Sequence, residues 1–335
     1  MTIKTLSLFF LLSCTAKSTE SSADAEPEID DGQADPTDTG TEEDIGAPEW
    51  GEDGPWVPEY YPAPDVPESQ VDLIRDGHST ASEAWGNYGP LEYWVIGHDI
   101  DAAIEHDDYF CAVRMEKDPG LPPEFMDHCL NRGHSFEDYA RDGGAGLNTR
   151  RSEYEDYSVF LVTFGSKYPS PDETDYTVVA YHEYFHVVQS AHIDSRDEDE
   201  RRRLMVENPW WSEGGAEYMA QLLYSRQPGV DEGYLRERMA WKMETKSMLE
   251  DGERFSDIPY GERARAAYDL GAWFNAYLVD RVGEDAYRVG FFSDLNELGW
   301  EGAFQANFGV SSEDMLNDFE VFLAAPLADQ LAIIP

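Results

Sequence analysis

Along this chain the spacing of apolar positions changes, and the change predicts the order of the elements. LEYWVIG at 91–97 and DYSVFLVTFG at 156–165 are short runs of branched and aromatic residues, and the second is followed by Gly and Pro punctuation. Such runs read as buried strands. DIDAAIEHDDYFCAVRMEK at 99–117 has helical period and opens on an Asp of the kind that caps a helix. VVAYHEYFHVVQSAH at 178–192 reads as a further helix, and past residue 195 helical period recurs over about 210–226, 233–250, 262–281, 284–296 and 312–331. Strands first and helices afterwards predict an α+β fold, a small sheet plus a central helix followed by a mostly helical C-terminal part.

Residues 15–70 follow neither period. They are rich in Asp, Glu, Ser, Thr, Pro and Gly, and a segment of that kind buries too little apolar surface to offset its ordering entropy. The expected organisation is therefore a leader over 1–14 and a disordered acidic linker over 15–70. An N-terminal subdomain at 71–195 follows, then a helical C-terminal subdomain at 196–335. The end of the linker, WVPEYYPAPDVP, carries aromatics able to lay it over the folded part.

The leader reads MTIKTLSLFFLLSC, with one lysine and an apolar run from Leu6 to Leu12 that is too short to span a bilayer. LLSC resembles the lipobox of bacterial lipoproteins, which implies lipidation at Cys14, export to the cell envelope, and contact with a membrane through that anchor alone; secretion without an anchor is the alternative. With Cys14 set aside, Cys111 and Cys129 are an even remainder in an exported chain. They pair as a disulfide or stay as two buried thiols.

Charge removes one class of partner. The chain carries 24 basic and 69 acidic residues, a net charge of −45. Seventeen of the acids fall between Ser18 and Gln70, where there is no Lys or Arg, so the remainder is strongly acidic as well. Phosphate contacts require Lys and Arg patches, so nucleic acid is not an expected partner.

The candidate chemistry lies in HEYFH. His182 and His186 are four residues apart, so on a helix their imidazoles stack on one face and can reach one zinc ion, with Glu183 beside it as a general base. Two residues compete to be the third protein ligand. His192 follows His186 by six residues, the spacing of metzincins, but on a continuous helix six residues turn about 600° and point it elsewhere. VVQSA has no Gly or Pro to break the helix there. The other is Glu213 in NPWWSEGGAEYMAQ, in the first turn of a helix marked by Pro209 and Ser212, with Glu217 one turn later on the same face.

HEYFH followed by WWSEGGAEY resembles the gluzincin peptidases, the zincin branch that includes thermolysin and aminopeptidase N relatives. The resemblance spans roughly residues 155–325 and implies a zincin-like fold, a zinc cofactor and hydrolysis of peptide or protein substrates. It implies His182, His186 and Glu213 as ligands, Glu183 as base, and Glu217 behind a ligand histidine. AAYDLGAWFNAYLVDRVG at 266–283 resembles the Tyr-bearing helix of aminopeptidase-like members, which implies that Tyr268 donates to the reacting oxygen. The segment by which aminopeptidases capture a free amino terminus is missing, which favours an endopeptidase. The strand at 156–165 is expected to offer an edge to an extended substrate. A catalytically inactive, peptidase-like surface binding protein and a structural envelope protein are the competing readings.

Overall fold

The computed structural model describes residues 49–131, 135–151, 157–165, 173–205 and 208–335. Cys14 lies outside them. Among the described residues a four-stranded mixed sheet has the order β1-β2-β4-β3. β1 (Glu59–Pro62), β2 (Leu91–Ile96) and β4 (Ser158–Gly165) run parallel, and β3 (Ala145–Arg151) is antiparallel to β4.

The crossover from β1 to β2 is α1 (Glu68–Trp85). From β2 the chain passes through α2 (Ile100–Lys117), α3 (Phe125–Asn131) and α4 (Ser135–Asp142) to β3. As expected, Asp99 caps α2, its side chain accepting from the backbone N–H groups of Asp101 and Ala102. The Cys111–Cys129 disulfide, with Cα atoms 5.9 Å apart, joins α2 to α3.

β2 is buried along its whole length and its side chains alternate between two cores. Leu91, Tyr93 and Val95 join Phe160, Val162 and Phe164 of β4 on the face covered by α1 and α5 (Glu173–Ala191). Trp94 and Ile96 join Val159, Leu161, Ala103, Val113 and Phe136 on the face covered by α2 and α4. Glu92, also interior, is matched by Arg114, whose guanidinium donates to both carboxylate oxygens at 2.5 and 2.6 Å.

Two expectations need correction. β4 is hydrogen-bonded on both sides, by β2 and by β3, so it offers no free edge to a substrate. The missing partner in the sequence reading is β3, AGLNTRR, whose two arginines and lack of apolar alternation hide a strand. Order also begins before residue 70. β1 lies within the expected linker, and Trp50 stacks on Phe160 with ring centroids 4.2 Å apart while donating from its indole to the Ile193 carbonyl at 3.1 Å.

The rest of the chain is helical: α6 (Glu198–Met205), α7 (Ser212–Ser225), α8 (Tyr234–Lys242), α9 (Ala264–Val282), α10 (Phe292–Phe308) and α11 (Ser312–Leu323). The fold is thus α+β with a mostly helical C-terminal part. α11 stops short of the expected residue 331 because Pro326 cannot donate to a helix ladder. Among the described residues no helix is long and apolar enough to cross a membrane.

α5 is the centre of the molecule. Val178, Ala180, Tyr181, Tyr184, Phe185, Val187, Val188 and Ala191 are all buried, so the helix is enclosed by α1, β3 and α7 rather than lying on a surface. α7 and α9 pack at their glycines. A Cβ placed on Gly214 would meet the Gly271 backbone at 2.5 Å, and one on Gly271 would meet the Trp210 carbonyl at 2.2 Å. Only glycine allows that approach, and it brings the first turn of α7 against the N-terminal half of α9.

Candidate metal centre

An enclosed helix that still carries polar residues at His182, His186 and Gln189 must satisfy them inside the protein. Those three share one face, since steps of four and three residues return close to the same side of a helix. The face is turned toward the first turn of α7, where Glu213 sits at the positive end of the helix dipole.

His182 Nε2 lies 3.2 Å from Glu213 Oε2, His186 Nε2 lies 3.3 Å from the same oxygen, and the two Nε2 atoms are 3.1 Å apart. Among the described residues these three form the one group of His, Cys, Asp and Glu with metal-ligand convergence. Their side chains are 12%, 13% and 13% exposed, so the cluster is largely sunk in the protein.

The outward nitrogens are held by different partners. His186 Nδ1 is 2.8 Å from Gln189 Oε1, and the other end of that amide donates to the Ser212 carbonyl at 3.0 Å. Because Ser212 requires a donor, Gln189 presents its oxygen to His186, which places a proton on Nδ1 and a lone pair on Nε2. His182 Nδ1 is 3.3 Å from Glu217 Oε2, an acceptor that fixes the same tautomer. Two imidazole lone pairs and a carboxylate oxygen therefore point at one spot.

That spot demands positive charge. Burial alone would lower the pKa of His182, yet hydrogen bonds donated to Glu213 and Glu217 raise it to about 10. His186 is also raised, the Glu213 charge and hydrogen bond outweighing burial. Burial would raise Glu213, but the two histidines hold it far below the usual carboxylate range. Protonating both rings at Nε2 satisfies the arrangement poorly, because two N–H groups cannot face each other across 3.1 Å. A tetrahedral zinc ion with ligands at about 2.0–2.1 Å spaces its donor atoms by about 3.3 Å. The observed 3.1, 3.2 and 3.3 Å match that spacing, and two neutral imidazoles plus one carboxylate are a zinc donor set.

Glu183 is 5% exposed, and its Oε2 has no hydrogen-bond partner. Burial raises its pKa, and the charges of His182 and His186 pull in the opposite direction. The Tyr268 hydroxyl is likewise buried, beside the Glu213 carboxylate but without a well-formed hydrogen bond. Burial first, and then the charge of Glu213, place its pKa well above the ordinary value.

His192 stands apart. Because α5 runs unbroken to Ala191, His192 is carried away from the cluster and packs edge-on against Tyr88 at 5.3 Å between ring centroids. The metzincin-type arrangement with His192 as third ligand is therefore not formed.

Gln189 is placed by its step of three residues from His186, but three further residues close to the cluster carry no signal in the sequence that would place them there. Tyr260 donates to Glu213 Oε1 at 3.0 Å from a loop. Lys242 and Asp269, both buried, continue the polar contacts beyond Glu217. Comparison of the chain with family models, with curated proteins and with solved structures found no match.

Proposed function

We propose that this chain is a zinc-dependent peptidase, zincin-like in its site, with His182, His186 and Glu213 as metal ligands. The observation that carries the reading is the convergence of two Nε2 lone pairs and one carboxylate oxygen at zinc-ligand spacing. Zinc held there supplies a Lewis acid that polarises a carbonyl and lowers the pKa of water from 15.7 to about 7.

The other roles belong to the chain. Glu183 takes a proton from water at Oε2, an atom that no hydrogen bond holds in another task, as the water oxygen bonds to the peptide carbonyl carbon. It returns that proton to the amine nitrogen as the C–N bond breaks. Tyr268, whose buried hydroxyl lies beside Glu213 without a well-formed hydrogen bond, donates to the substrate carbonyl oxygen as charge builds on it. Glu217 holds His182 at Nδ1 and Gln189 holds His186 at Nδ1, so both rings keep their lone pairs forward. The substrate is a peptide or protein cleaved as by an endopeptidase, and the lipobox-like LLSC supports export with an anchor at Cys14.

The test is a metal and activity measurement on purified protein. Stoichiometric zinc is expected, with hydrolysis of a peptide library that a chelator stops and zinc restores. Glu183→Gln should keep the metal and lose about 10²–10⁴-fold in rate, whereas Glu213→Ala should lose the metal. Protein without a divalent ion, or a Glu183→Gln variant as fast as wild type, would refute the proposal. Zinc bound without turnover in wild type would instead favour a peptidase-like binding protein.

A further inference from the structure

Three helices meet at Lys242. Its ammonium lies 2.7 Å from Glu217 Oε1 on α7 and 2.8 Å from Asp269 Oδ1 on α9, and the residue is 4% exposed at the end of α8. The opposite oxygen of Glu217 faces His182 Nδ1 at 3.3 Å. Asp269 directly follows Tyr268 in the chain, and its second oxygen is 3.4 Å from Arg265 Nε. One buried cation thus touches, through one carboxylate each, the backing of a candidate ligand and the helix that presents the candidate hydroxyl.

We propose that Lys242 is a positioning residue of the candidate zinc centre, an ammonium that clamps Glu217 against His182 and fixes α9 so that Tyr268 keeps its place beside Glu213. The inference rests on the zinc reading above.

A buried ammonium between two carboxylates is not a stabilising choice in itself. Desolvating three charges is costly, and well-packed apolar residues often serve stability as well or better. Its value lies in orientation. Glu217 has two oxygens, and with Oε1 taken by Lys242 and by Gln221 Nε2 at 3.0 Å, Oε2 is left for the histidine. Removing the ammonium leaves Gln221 as the remaining neighbour on Oε1, and the carboxylate is free to turn. A ligand imidazole whose backing partner turns away loses basicity and aim, and such losses cost about 10–100-fold in metal affinity.

The experiment measures zinc affinity by chelator competition in the full chain, together with the visible spectrum of the cobalt(II)-substituted protein. Lys242→Met is expected to weaken zinc about 10–100-fold and to shift the cobalt bands. Glu217→Gln should reproduce that loss, and the two changes combined should cost little more than either alone, because they break the same linkage. Lys242→Met/Asp269→Leu, which removes opposite charges together, is the variant to use if Lys242→Met alone does not fold, and the same loss is expected. Arg114→Met breaks a comparably buried pair with Glu92 and should lower Tm while leaving affinity and spectrum unchanged. Wild type that binds zinc beside a Lys242→Met variant within twofold of it, or losses that simply add, would overturn the clamp and leave the zinc reading intact. Wild type that binds no zinc would overturn both.

Discussion

Gln189 stands one helical turn beyond His186 and lies 2.8 Å from its Nδ1, while the other end of the same amide donates to the Ser212 carbonyl at 3.0 Å. A single fully buried side chain thereby fixes the tautomer of one candidate ligand and ties α5 to the first turn of α7, where the carboxylate ligand resides. Gln189→Leu should weaken zinc about 10–100-fold and destabilise the fold by about 1–3 kcal/mol through the lost hydrogen bonds of the buried amide to His186 and Ser212. Chelator competition and denaturant titration measure the two effects. A variant with unaltered zinc affinity would remove Gln189 from the site.

Tyr268 separates structural from functional cost. Its hydroxyl is buried beside the Glu213 carboxylate with no well-formed hydrogen bond, so Tyr268→Phe gives up only that marginal contact and sheds a desolvated polar group. Stability should stay within about 1 kcal/mol of wild type or rise, while kcat falls about 10²–10³-fold at nearly constant KM. A variant that keeps its kcat would show that the hydroxyl is idle.

The contact between α7 and α9 has no room for a methyl group. Gly271→Ala places a Cβ 2.2 Å from the Trp210 carbonyl, a backbone atom that cannot step aside. The expected cost is at least about 1–3 kcal/mol of overpacking, with lost turnover because α9 also carries Tyr268. Thermal melting and kcat are the readouts, and a Gly271→Ala protein with wild-type Tm would contradict the packing described.

His78 gives a dependence on pH that is independent of the metal centre. It is buried beside Tyr93, whose hydroxyl is 3.1 Å from Nδ1, and burial lowers its pKa from 6.5 to about 4. The unfolded chain therefore binds a proton that the folded chain refuses between those values. Stability is fully present above about pH 6.5 and falls as pH drops toward 4, by about 3 kcal/mol in all. In His78→Leu this contribution should vanish, so that denaturant midpoints from pH 7 to pH 4 fall less steeply than in wild type. Parallel slopes would mean that His78 does not titrate as its burial requires.

The pattern at His182, Glu183 and His186 is legible because a helix repeats every 3.6 residues and the intervening residues are visibly apolar. Glu213 is legible through its setting, a helix start marked by Pro209 and Ser212. Other contacts leave no local trace. Lys242 sits in RMAWKMETK, which reads as a solvated helix end, yet its two carboxylate partners come from different helices. β1 is EYYP, too short and too rich in proline context to show a period, and its order comes from pairing with β2. β3 pairs antiparallel with β4 although its own residues are mostly polar. α1 presents Val71, Ile74, Ala81 and Trp85 to the core among acids and serines, a stripe too sparse to stand out. Each of these elements depends on partners distant in the chain, and single-segment periodicity is blind to that.

Trp50 has a practical consequence. Its indole is stacked on Phe160, crossed by the Arg151 guanidinium at 4.4 Å from its ring centroid, and hydrogen-bonded just past the end of α5. Someone preparing a shortened gene product would be tempted to start near residue 70, where the acidic composition gives way. Such a protein would be missing an outer strand and a wedge that secures the far end of the histidine-bearing helix, so the safer cut falls ahead of Glu49.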